Sequence, residues 1–370
     1  MGHELTGTIP LFQHYPSLRG RIPYVSFADL PTPVEKLDRM GSELGLKHLY
    51  IKRDDVTSAI YGGNKVRKLE FLLGLALQTK TREVMTFGGA GSNHATATAV
   101  HAHQVGLRSI SMLMPQPNAQ YVRDNLLMSR HHGAELHQYG NRLLLKLGMF
   151  WELMLHRLLV GRAPQVIPYG GASPLGTIGF VNAAFELKQQ IEEGQVPEPD
   201  VIYVAMGSMG TAVGLVLGLK ALGLKTRVVP VRVVPSQTTN PTKFVTLFNE
   251  TNILLRAADP AFPIYELPED EVGIVHDFFG SGYGALTKEG VEAIRWAGES
   301  EGIKLDVTYT GKTFAALIDA AQKGELKDQG VLFWLTLNSR DFSDEIAGVD
   351  YHELPRCFHR YFAEEVLPRG

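Results

Sequence analysis

"YGGNKVRKLE", residues 61–70, places two lysines three positions apart directly behind a Gly-Gly-Asn turn. Asn64 is a good helix N-cap, and the two glycines permit a tight approach to it. The residues that follow have the apolar spacing of a helix. At about 100° per residue, Lys65 lies about 40° from the centre of the apolar face and Arg67 nearly opposite it. The pattern therefore predicts Lys65 on the packed side and Arg67 in water.

The position of Lys65 favours an uncharged amine. The residue lies at the positive end of the helix dipole, which disfavours an ammonium group, and burial acts in the same direction. A neutral amine is what a lysine needs to form an imine with a carbonyl compound. For this stretch taken alone, a surface lysine whose stem lies along the helix start remains the alternative.

Short apolar runs alternate with helical patterns along most of the chain, which predicts parallel sheets covered by helices. The spacing indicates a compact unit at residues 80–170, inserted into a larger domain made of residues 1–79 plus 171–370. The predicted strands are 48–53, 83–87, 108–114, 134–139, 165–169, 201–206, 226–234 and 330–335. The predicted helices include 92–105, 142–160, 174–193, 210–223, 288–300 and 312–323.

Composition excludes several classes of protein. The 370 residues carry a formal net charge of -3, with 44% hydrophobic residues, so there is no basic footprint for nucleic acid. Cys357 is the single cysteine, which excludes an internal disulfide framework and fits a reducing compartment. The N-terminus lacks a signal-peptide pattern, and residues 142–160 are too polar to span a bilayer. We expect a cytoplasmic protein in which the 142–160 segment is a buried amphipathic helix.

Two further glycine-rich turns each follow a predicted strand and open a helix. In MGSMGTAVGL, residues 206–215, the turn 207–211 can direct backbone N–H groups at an anion, typically phosphate. In GGAGSNHA, residues 88–95, His94 stands at the third glycine position of the dinucleotide fingerprint and no suitably spaced acid follows, which argues against NAD. Ser92, Asn93 and His94 remain as polar groups able to touch a ligand. Ordinary strand-to-helix turns are the alternative for both.

Two histidine pairs, at 101–103 and 130–133, raise the question of a metal site. Neither pair has a carboxylate or cysteine nearby at ligand spacing. We therefore expect surface histidines and no metal.

These pieces, in this order, resemble fold-type II pyridoxal-phosphate (PLP) enzymes related to the tryptophan synthase β subunit. The closer resemblance is to the branch of 1-aminocyclopropane-1-carboxylate (ACC) deaminase and D-cysteine desulfhydrase. The most specific motif is GGNKVRKLE, and LDVTYTGK at 305–312 supports it. The other matching motifs are PTPVEKL (31–37), KRDD (52–55), GSNHA (91–95), PLGTIGF (174–180), GSMGT (207–211) and GYG (282–284). The resemblance implies two open α/β domains, with PLP in the cleft between them.

The resemblance also implies roles for particular residues. Lys65 would hold PLP as a Schiff base, and Lys68 would lie beside the phosphate. Asn93 would bond the cofactor's 3-hydroxyl, while Ser92 and His94 would face the substrate carboxylate together with Asn93.

The remaining roles fall on later parts of the chain. Tyr283 and Tyr309 would line the substrate side and, with Lys65 and Ser92, form the catalytic group. Thr310 would meet the pyridine nitrogen. The phosphate would lie against Gly207, Ser208, Met209, Gly210 and Thr211.

Two threonines bear on the substrate. Family members that act on the cyclopropane carry Glu and Leu where this chain has Thr310 and Thr336, and desulfhydrase-like members carry Thr at both. A neutral threonine cannot keep the pyridine nitrogen protonated, which favours expulsion of a β-leaving group. We expect β-elimination from a small amino acid such as D-cysteine, with release of a keto acid and ammonia.

Several alternatives remain open at this point. ACC deamination and β-replacement are the enzymatic ones, and a PLP-fold binding protein without turnover is the non-enzymatic one. The last strand reads Leu335 to Asn338, L-T-L-N, where the family usually has H-T-G-G. Residues 95–97 read A-T-A where relatives often have V-R-Q. We expect a homodimer with a small amino-acid substrate and without nucleic-acid or membrane partners.

Overall fold

The computed structural model describes residues 8–366. Its strands are β1 Val34–Lys36, β2 His48–Arg53, β3 Glu83–Gly89, β4 Arg108–Met114, β5 Glu135–Gln138, β6 Gln165–Val166, β7 Val201–Met206, β8 Arg227–Arg232 and β9 Gly330–Leu335. Its α-helices are α1 Pro10–His14, α2 Asp38–Leu44, α3 Lys65–Gln78, α4 Asn93–Gln104, α5 Gln120–His131, α6 Arg142–Val160, α7 Pro174–Glu192, α8 Gly210–Ala221, α9 Pro241–Ala258, α10 Lys288–Glu301, α11 Thr310–Gln322, α12 Ser343–Ile346 and α13 Arg360–Ala363.

The larger sheet has five strands in the order β1-β2-β9-β7-β8. All neighbours are parallel except β1, an antiparallel edge strand that the sequence did not predict. One face packs against α1, α7, α8 and α9, and the other against α2, α10 and α11. Because both faces are covered, the central strands are apolar throughout, as β7 shows with six buried residues.

The smaller sheet has four parallel strands in the order β5-β4-β3-β6. Helices α4 and α5 cover one face, and α6 packs on the other. The prediction of two open parallel sheets with helices on both faces is thus confirmed.

The predicted division of the chain stays a prediction, although the smaller sheet draws its strands from residues 83–166. One contact in the structure does not follow this predicted division. The C-terminal segment, grouped in the prediction with the larger domain, packs on the smaller sheet's helical layer through Leu354, Phe358 and Tyr361. Asn118 and Arg123 anchor this segment by donating to the Tyr361 carbonyl.

Helix α6 differs from its prediction as a buried amphipathic helix. Its inward face carries Leu145, Glu152 and His156, so two of its three buried residues are polar. Its outward face is apolar, the reverse of the usual arrangement. Its exposed large hydrophobic residues are Leu143, Leu144, Leu147, Phe150, Trp151, Met154, Leu158 and Leu159.

Two other observations concern surface expectations. Among the described residues, no helix combines the length and apolarity that crossing a membrane requires. The histidine pair at 101–103 is only partly at the surface, because His101 is fully buried. Its ring stacks on Phe27 and its Nε2 lies 3.0 Å from the Tyr61 carbonyl oxygen. His101 therefore belongs to the core.

Candidate active site

Helix α3 begins at Lys65, between the two sheets. The side chain of Asn64 does not cap the helix, contrary to the prediction. Instead its Nδ2 donates to Thr211 Oγ1 at 2.9 Å, and its Oδ1 accepts from Lys65 Nζ at 3.0 Å. Asn64 thus connects the lysine to the glycine-rich turn that precedes α8.

The surroundings of Lys65 favour its neutral form. Burial lowers the pKa of its ammonium to about 8, and the nearby Asp306 opposes this only in part. Asp306 is not within ion-pair distance of the ammonium. A lysine with such a pKa is in part an uncharged amine near neutral pH, as nucleophilic or basic lysines require.

Lys68 lies one turn further on and is fully buried. Its Nζ donates to the Gly170 carbonyl at 3.3 Å, and a Cβ added to Gly210 would lie 3.1 Å from that nitrogen. Burial, followed by repulsion from Lys65, lowers the pKa of Lys68 well below its usual value. The Lys68 amine therefore faces the turn that was predicted to bind phosphate.

Arg67 is buried, whereas the helical-wheel argument placed it in water. It donates to both oxygens of Asp54 at 3.0 Å, and to Glu186 at 2.8 Å. Lys52 also reaches Glu186, at 2.6 Å. Burial alone would raise the pKa of Glu186, but Arg67 and Lys52 outweigh it and lower that pKa to about 2. The single-face argument failed because α3 is packed all round, against α7 as well as α4.

The turn between β7 and α8 has the geometry of an anion cradle. Met209 adopts a left-handed backbone conformation, with φ +67°, as in turns whose N–H groups converge. A Cβ added to Gly207 would lie 3.1 Å from the ring of Tyr309. Ser208 faces Gly170, whose added Cβ would lie 2.4 Å from the serine hydroxyl. The two glycines therefore keep the turn close to Tyr309 and to Gly170, while Gly210 keeps it close to Lys68.

Asn93 is held in one orientation by two buried residues. Its Oδ1 accepts from Asn125 Nδ2 at 2.8 Å and lies 3.2 Å from the Tyr61 hydroxyl. Tyr61 and Asn125 also bond to each other at 3.0 Å. Because the amide oxygen is occupied, the Nδ2 group remains the donor for a ligand. Sequence reasoning missed Asn125, which carries no local signal in the middle of α5.

Ser92 and His94 flank Asn93 at the start of α4. Ser92 caps the helix, its Oγ accepting from the Ala95 N–H at 3.3 Å. His94 is buried, and its ring nitrogens make no well-directed hydrogen bond among the described residues. Burial, Lys65 and Lys68 lower the pKa of His94 to about 3. His94 is therefore a neutral imidazole near both lysines.

Two tyrosines meet beside the lysines. The hydroxyls of Tyr283 and Tyr309 are 2.7 Å apart, and burial raises the pKa of both. Burial, followed by the nearby Tyr283, raises the pKa of Tyr121 on the smaller sheet's helix α5. Its hydroxyl accepts from Gln116 Nε2 at 3.0 Å, while Gln116 Oε1 accepts from the Gly91 N–H. Tyr121 and Gln116 are site residues that the motifs did not reveal.

Thr310 forms a compact unit with Asp306. Its hydroxyl donates to Asp306 Oδ2 at 2.8 Å and accepts from the Asp306 N–H at 2.7 Å. The same carboxylate accepts from the N–H groups of Thr308 and Tyr309. To donate to a neutral pyridine nitrogen, the Thr310 hydroxyl hydrogen would have to leave Asp306. Asp306 stands inside LDVTYTGK, yet sequence reasoning did not select it.

The end of β9 abuts the loop before Lys65. The Thr336 carbonyl accepts from the Asn64 N–H at 3.2 Å, and Asn338 Oδ1 accepts from the Gly62 N–H at 2.9 Å. The altered last strand therefore supports the lysine loop. The other altered segment, residues 95–97, is buried, and Thr96 bonds to the Asn125 carbonyl rather than facing an open pocket.

Comparison with known proteins gives the class first. Residues 25–336 match the family of pyridoxal-phosphate dependent enzymes, and the chain belongs to that family. A relative from Pyrococcus horikoshii is 37% identical over 318 residues, covering 86% of this chain and 92% of the relative; it bears the provisional name 1-aminocyclopropane-1-carboxylate deaminase. A Pyrococcus furiosus relative of the same name is 36% identical, with the same coverage.

Solved structures narrow the class. The crystal structure of an ACC deaminase homologue is 35% identical with a TM-score of 0.75, covering 92% of this chain and 99% of that one. The processed threonine deaminase isoform 2 of Solanum lycopersicum, at 17% identity and a TM-score of 0.59 over 94% and 91% of the two chains, shares the fold. The protein is a fold-type II PLP enzyme of the ACC deaminase family, a lyase or deaminase.

The described residues fit PLP. Lys65 and Lys68 are close together, and neither has a carboxylate within ion-pair distance in residues 8–366. Protonating both amines without a counter-charge is costly, and a phosphate dianion would supply that counter-charge. The glycine-walled turn beside Lys68 leaves room for that phosphate.

Proposed function

We propose that the protein catalyses β-elimination from a small D-amino acid, as D-cysteine desulfhydrases do, releasing sulfide, a keto acid and ammonia. The observation that carries the proposal is the uncharged pair Thr310 and Thr336. Members acting on the cyclopropane have Glu and Leu there. When bound, PLP supplies the electron sink for the substrate's α-carbon.

Lys65 is the proposed base and covalent anchor. Its lowered pKa, about 8, supplies the neutral amine needed to take the α-proton. Lys68 and the turn Gly207 to Thr211 hold the phosphate in this proposal. Asn93, through the free Nδ2 that Asn125 and Tyr61 leave it, bonds the 3-hydroxyl.

The proposed substrate side is formed by Ser92, His94, Tyr283 and Tyr309. The raised pKa values keep both tyrosines protonated near neutral pH. The 2.7 Å contact between their hydroxyls can pass a proton from half-buried Tyr309 to exposed Tyr283 or back. We propose that this pair protonates the departing sulfur, while the N-terminus of α4 receives the substrate carboxylate.

ACC deamination is the second candidate, because the Pyrococcus relatives carry that name. In that reaction a carboxylate in place of Thr310 would hold a proton at the pyridine nitrogen. Asp306 does not supply one directly, since its oxygens already accept from Thr310, Thr308 and Tyr309.

A substrate panel tests the choice. Purified enzyme is given D-cysteine, β-chloro-D-alanine, D-serine, L-cysteine or ACC, with keto acid and sulfide measured and Lys65→Ala as the blank. We expect D-cysteine and β-chloro-D-alanine to be the best substrates, and Thr310→Glu to reduce their turnover at least ~10-fold through changed pyridine protonation. Turnover of ACC with none of D-cysteine would reject the proposal in favour of ACC deamination.

We also propose a homodimer in which two copies pack through α6. Its outward side chains repeat at seven-residue intervals, as in Leu144, Trp151 and Leu158, which is the spacing of helix–helix seams. Eight large apolar side chains of one helix are exposed together, and contiguous exposed apolar surface of this kind marks interaction sites. An isologous contact would cover the same face on both copies. We further propose a cytoplasmic location, which the single cysteine supports.

A further inference from the structure

A second group of chemically capable side chains lies between the edge strand β5 and helix α6. Glu135 and His137 stand two apart on β5, so they share one face of the sheet. Glu152 and His156 stand four apart on α6, so they share one side of the helix. With Glu83 at the start of β3, these five residues form what we call the imidazole–carboxylate cluster.

Three side chains of the cluster bring possible metal-ligand atoms close to one another. One ligand atom from each of Glu135, His137 and Glu152 lies within 4.8 Å of the other two. His137 Nε2 is 2.8 Å from Glu135 Oε1, and His137 Nδ1 is 3.6 Å from Glu152 Oε1. These are the ligand types that divalent transition metals select.

His156 is oriented in the manner of a metal-ligating histidine. Its Nδ1 lies 2.9 Å from Oε2 of Glu83, a buried carboxylate. A neutral ring donating through Nδ1 carries its lone pair on Nε2. That atom faces Glu135 Oε1 at 3.4 Å and Glu152 Oε2 at 3.8 Å. A carboxylate behind the ring is the usual outer partner of a histidine ligand.

The charges of the cluster are unbalanced when both imidazoles are neutral. Three carboxylates face one guanidinium, that of Arg108, which is 3.0 Å from Glu83 and 3.6 Å from Glu135. The neighbouring side chain of Tyr139 is a phenol, which carries no positive charge in either protonation state. Two positive charges are missing, and either one divalent cation or two histidine protons can supply them.

We propose that Glu135, His137, Glu152 and His156 bind one divalent transition-metal ion of the Zn²⁺ class, which fastens α6 to the edge of the smaller sheet. The histidine pairs first considered in the sequence are not involved. The site's ligands are spread over β5 and α6, so no short sequence motif reveals it. It is independent of the proposed reaction, since it uses none of the residues assigned to PLP or substrate.

The test uses untagged, PLP-loaded protein titrated with Co²⁺, whose visible absorbance reports tetrahedral coordination, and then with Zn²⁺ in competition. We expect one metal per chain, displaced by Zn²⁺, with affinity falling as the solution is acidified, because imidazole nitrogens must be deprotonated to bind a metal. Zn²⁺ should raise the melting temperature of the wild type.

Matched double variants locate the site. His137→Gln with Glu152→Gln should weaken binding well beyond ~10-fold, and Glu83→Gln alone by about 10-fold. His103→Gln with Glu299→Gln removes an exposed histidine and glutamate outside the cluster and should bind as the wild type does. His137→Gln alone serves if the double variant fails to fold, because His137 is partly exposed. Absence of saturable one-to-one binding, or undiminished binding by the cluster variants, overturns the proposal and leaves two histidine protons as the counter-charge.

Discussion

At the scale of single residues, the site depends on how buried groups are held neutral or oriented. Lys65 has no carboxylate in ion-pair contact within residues 8–366, and burial decides its pKa. Asn93 has its amide oxygen fixed by Tyr61 and Asn125. The motif GGNKVRKLE and the family resemblance pointed to Lys65, which stays a prediction, while the residues that hold Asn93 in place were visible only in the structure.

The first prediction concerns the pH dependence of PLP capture. Only neutral Lys65 can attack the PLP carbonyl, so the rate at which apoprotein gains its visible lysine-bound absorbance should rise as pH increases through about 8 and then level off. Stopped-flow absorbance from pH 6.5 to 9.5 measures it. Lys65→Ala should show no band that borohydride removes, and a pH-independent rate would contradict the assignment.

The sign of the accompanying stability change follows from the same pKa. Folded Lys65 loses its proton at about 8, below the usual 10.5. Between these values the unfolded chain binds the additional proton, so the Lys65 contribution to apoprotein stability rises with pH. Below pH 8 Lys65 is protonated in both the folded and the unfolded chain, so the free-energy cost of burying its ammonium no longer changes with pH.

The second prediction concerns Asn125→Ala. The change removes the donor to Asn93 Oδ1 and to the Gly91 carbonyl, so we expect a loss of about 1–3 kcal/mol and a shifted PLP absorbance with weaker PLP binding. Urea unfolding and PLP titration measure these. Asn252→Ala is the control, since Asn252 makes two buried backbone bonds far from PLP contacts. An equal change in PLP binding for both variants would show that Asn125 does not orient Asn93 for PLP.

At the scale of elements, helix α3 shows where sequence patterns succeed and fail. Its start at Lys65 was predicted correctly, although the Asn64 side chain does not cap it, and the major strands were found within a few residues. The helical-wheel argument misplaced Arg67 because it assumed that one side of the helix is buried and the other is exposed to solvent. A helix that is packed on all sides has no solvent-exposed side. Its charged residues must then be paired with opposite charges, as Arg67 is with Asp54 and Glu186.

The third prediction follows from that pairing. Arg67→Met leaves the buried Asp54 carboxylate without its ionic partner and leaves Glu186 with Lys52 alone, so unfolding free energy should fall by about 3–5 kcal/mol. Denaturant unfolding of the PLP-loaded protein measures it. Arg295→Met is the control, because the exposed Arg295–Glu299 pair is worth under about 1 kcal/mol. A loss for Arg67→Met no larger than that of the control would show that the network is not stabilising.

At the scale of the whole molecule, the alternation of strands and helices in the sequence was enough to predict the order of the elements and the helical layers on the sheets. It did not predict the packing of the C-terminal segment on α5 or the exposure of α6. Both depend on contacts between distant parts of the chain, for which hydrophobic periodicity contains no information. The α6 pattern gave a buried amphipathic helix, but only part of its apolar surface packs on the sheet, and eight of its large hydrophobic side chains are exposed.

The fourth prediction concerns assembly. Leu147→Glu with Met154→Glu places charges in the centre of the α6 seam, so the proposed dimer should dissociate, raising the apparent dissociation constant at least ~100-fold. Light scattering coupled to size exclusion measures mass. Ile253→Glu, at a singly exposed apolar residue of α9, should leave the mass unchanged. Pelleting with anionic vesicles, rather than self-association, would assign the face to a membrane surface instead.

The contact between Asn338 and Gly62 has a consequence for redesign. A Cβ on Gly62 would lie 2.3 Å from the Asp55 carbonyl, so this loop follows a fixed path, and Asn338 is the side chain that secures its N–H. Grafting the family's usual H-T-G-G ending onto β9 would remove that acceptor. The graft would weaken the hold on the loop carrying Lys65, which would keep only its backbone contacts to Thr336 and Asp54 and the Thr57 hydroxyl. An exchange of substrate specificity between relatives must therefore replace the end of β9 and the loop before Lys65 together.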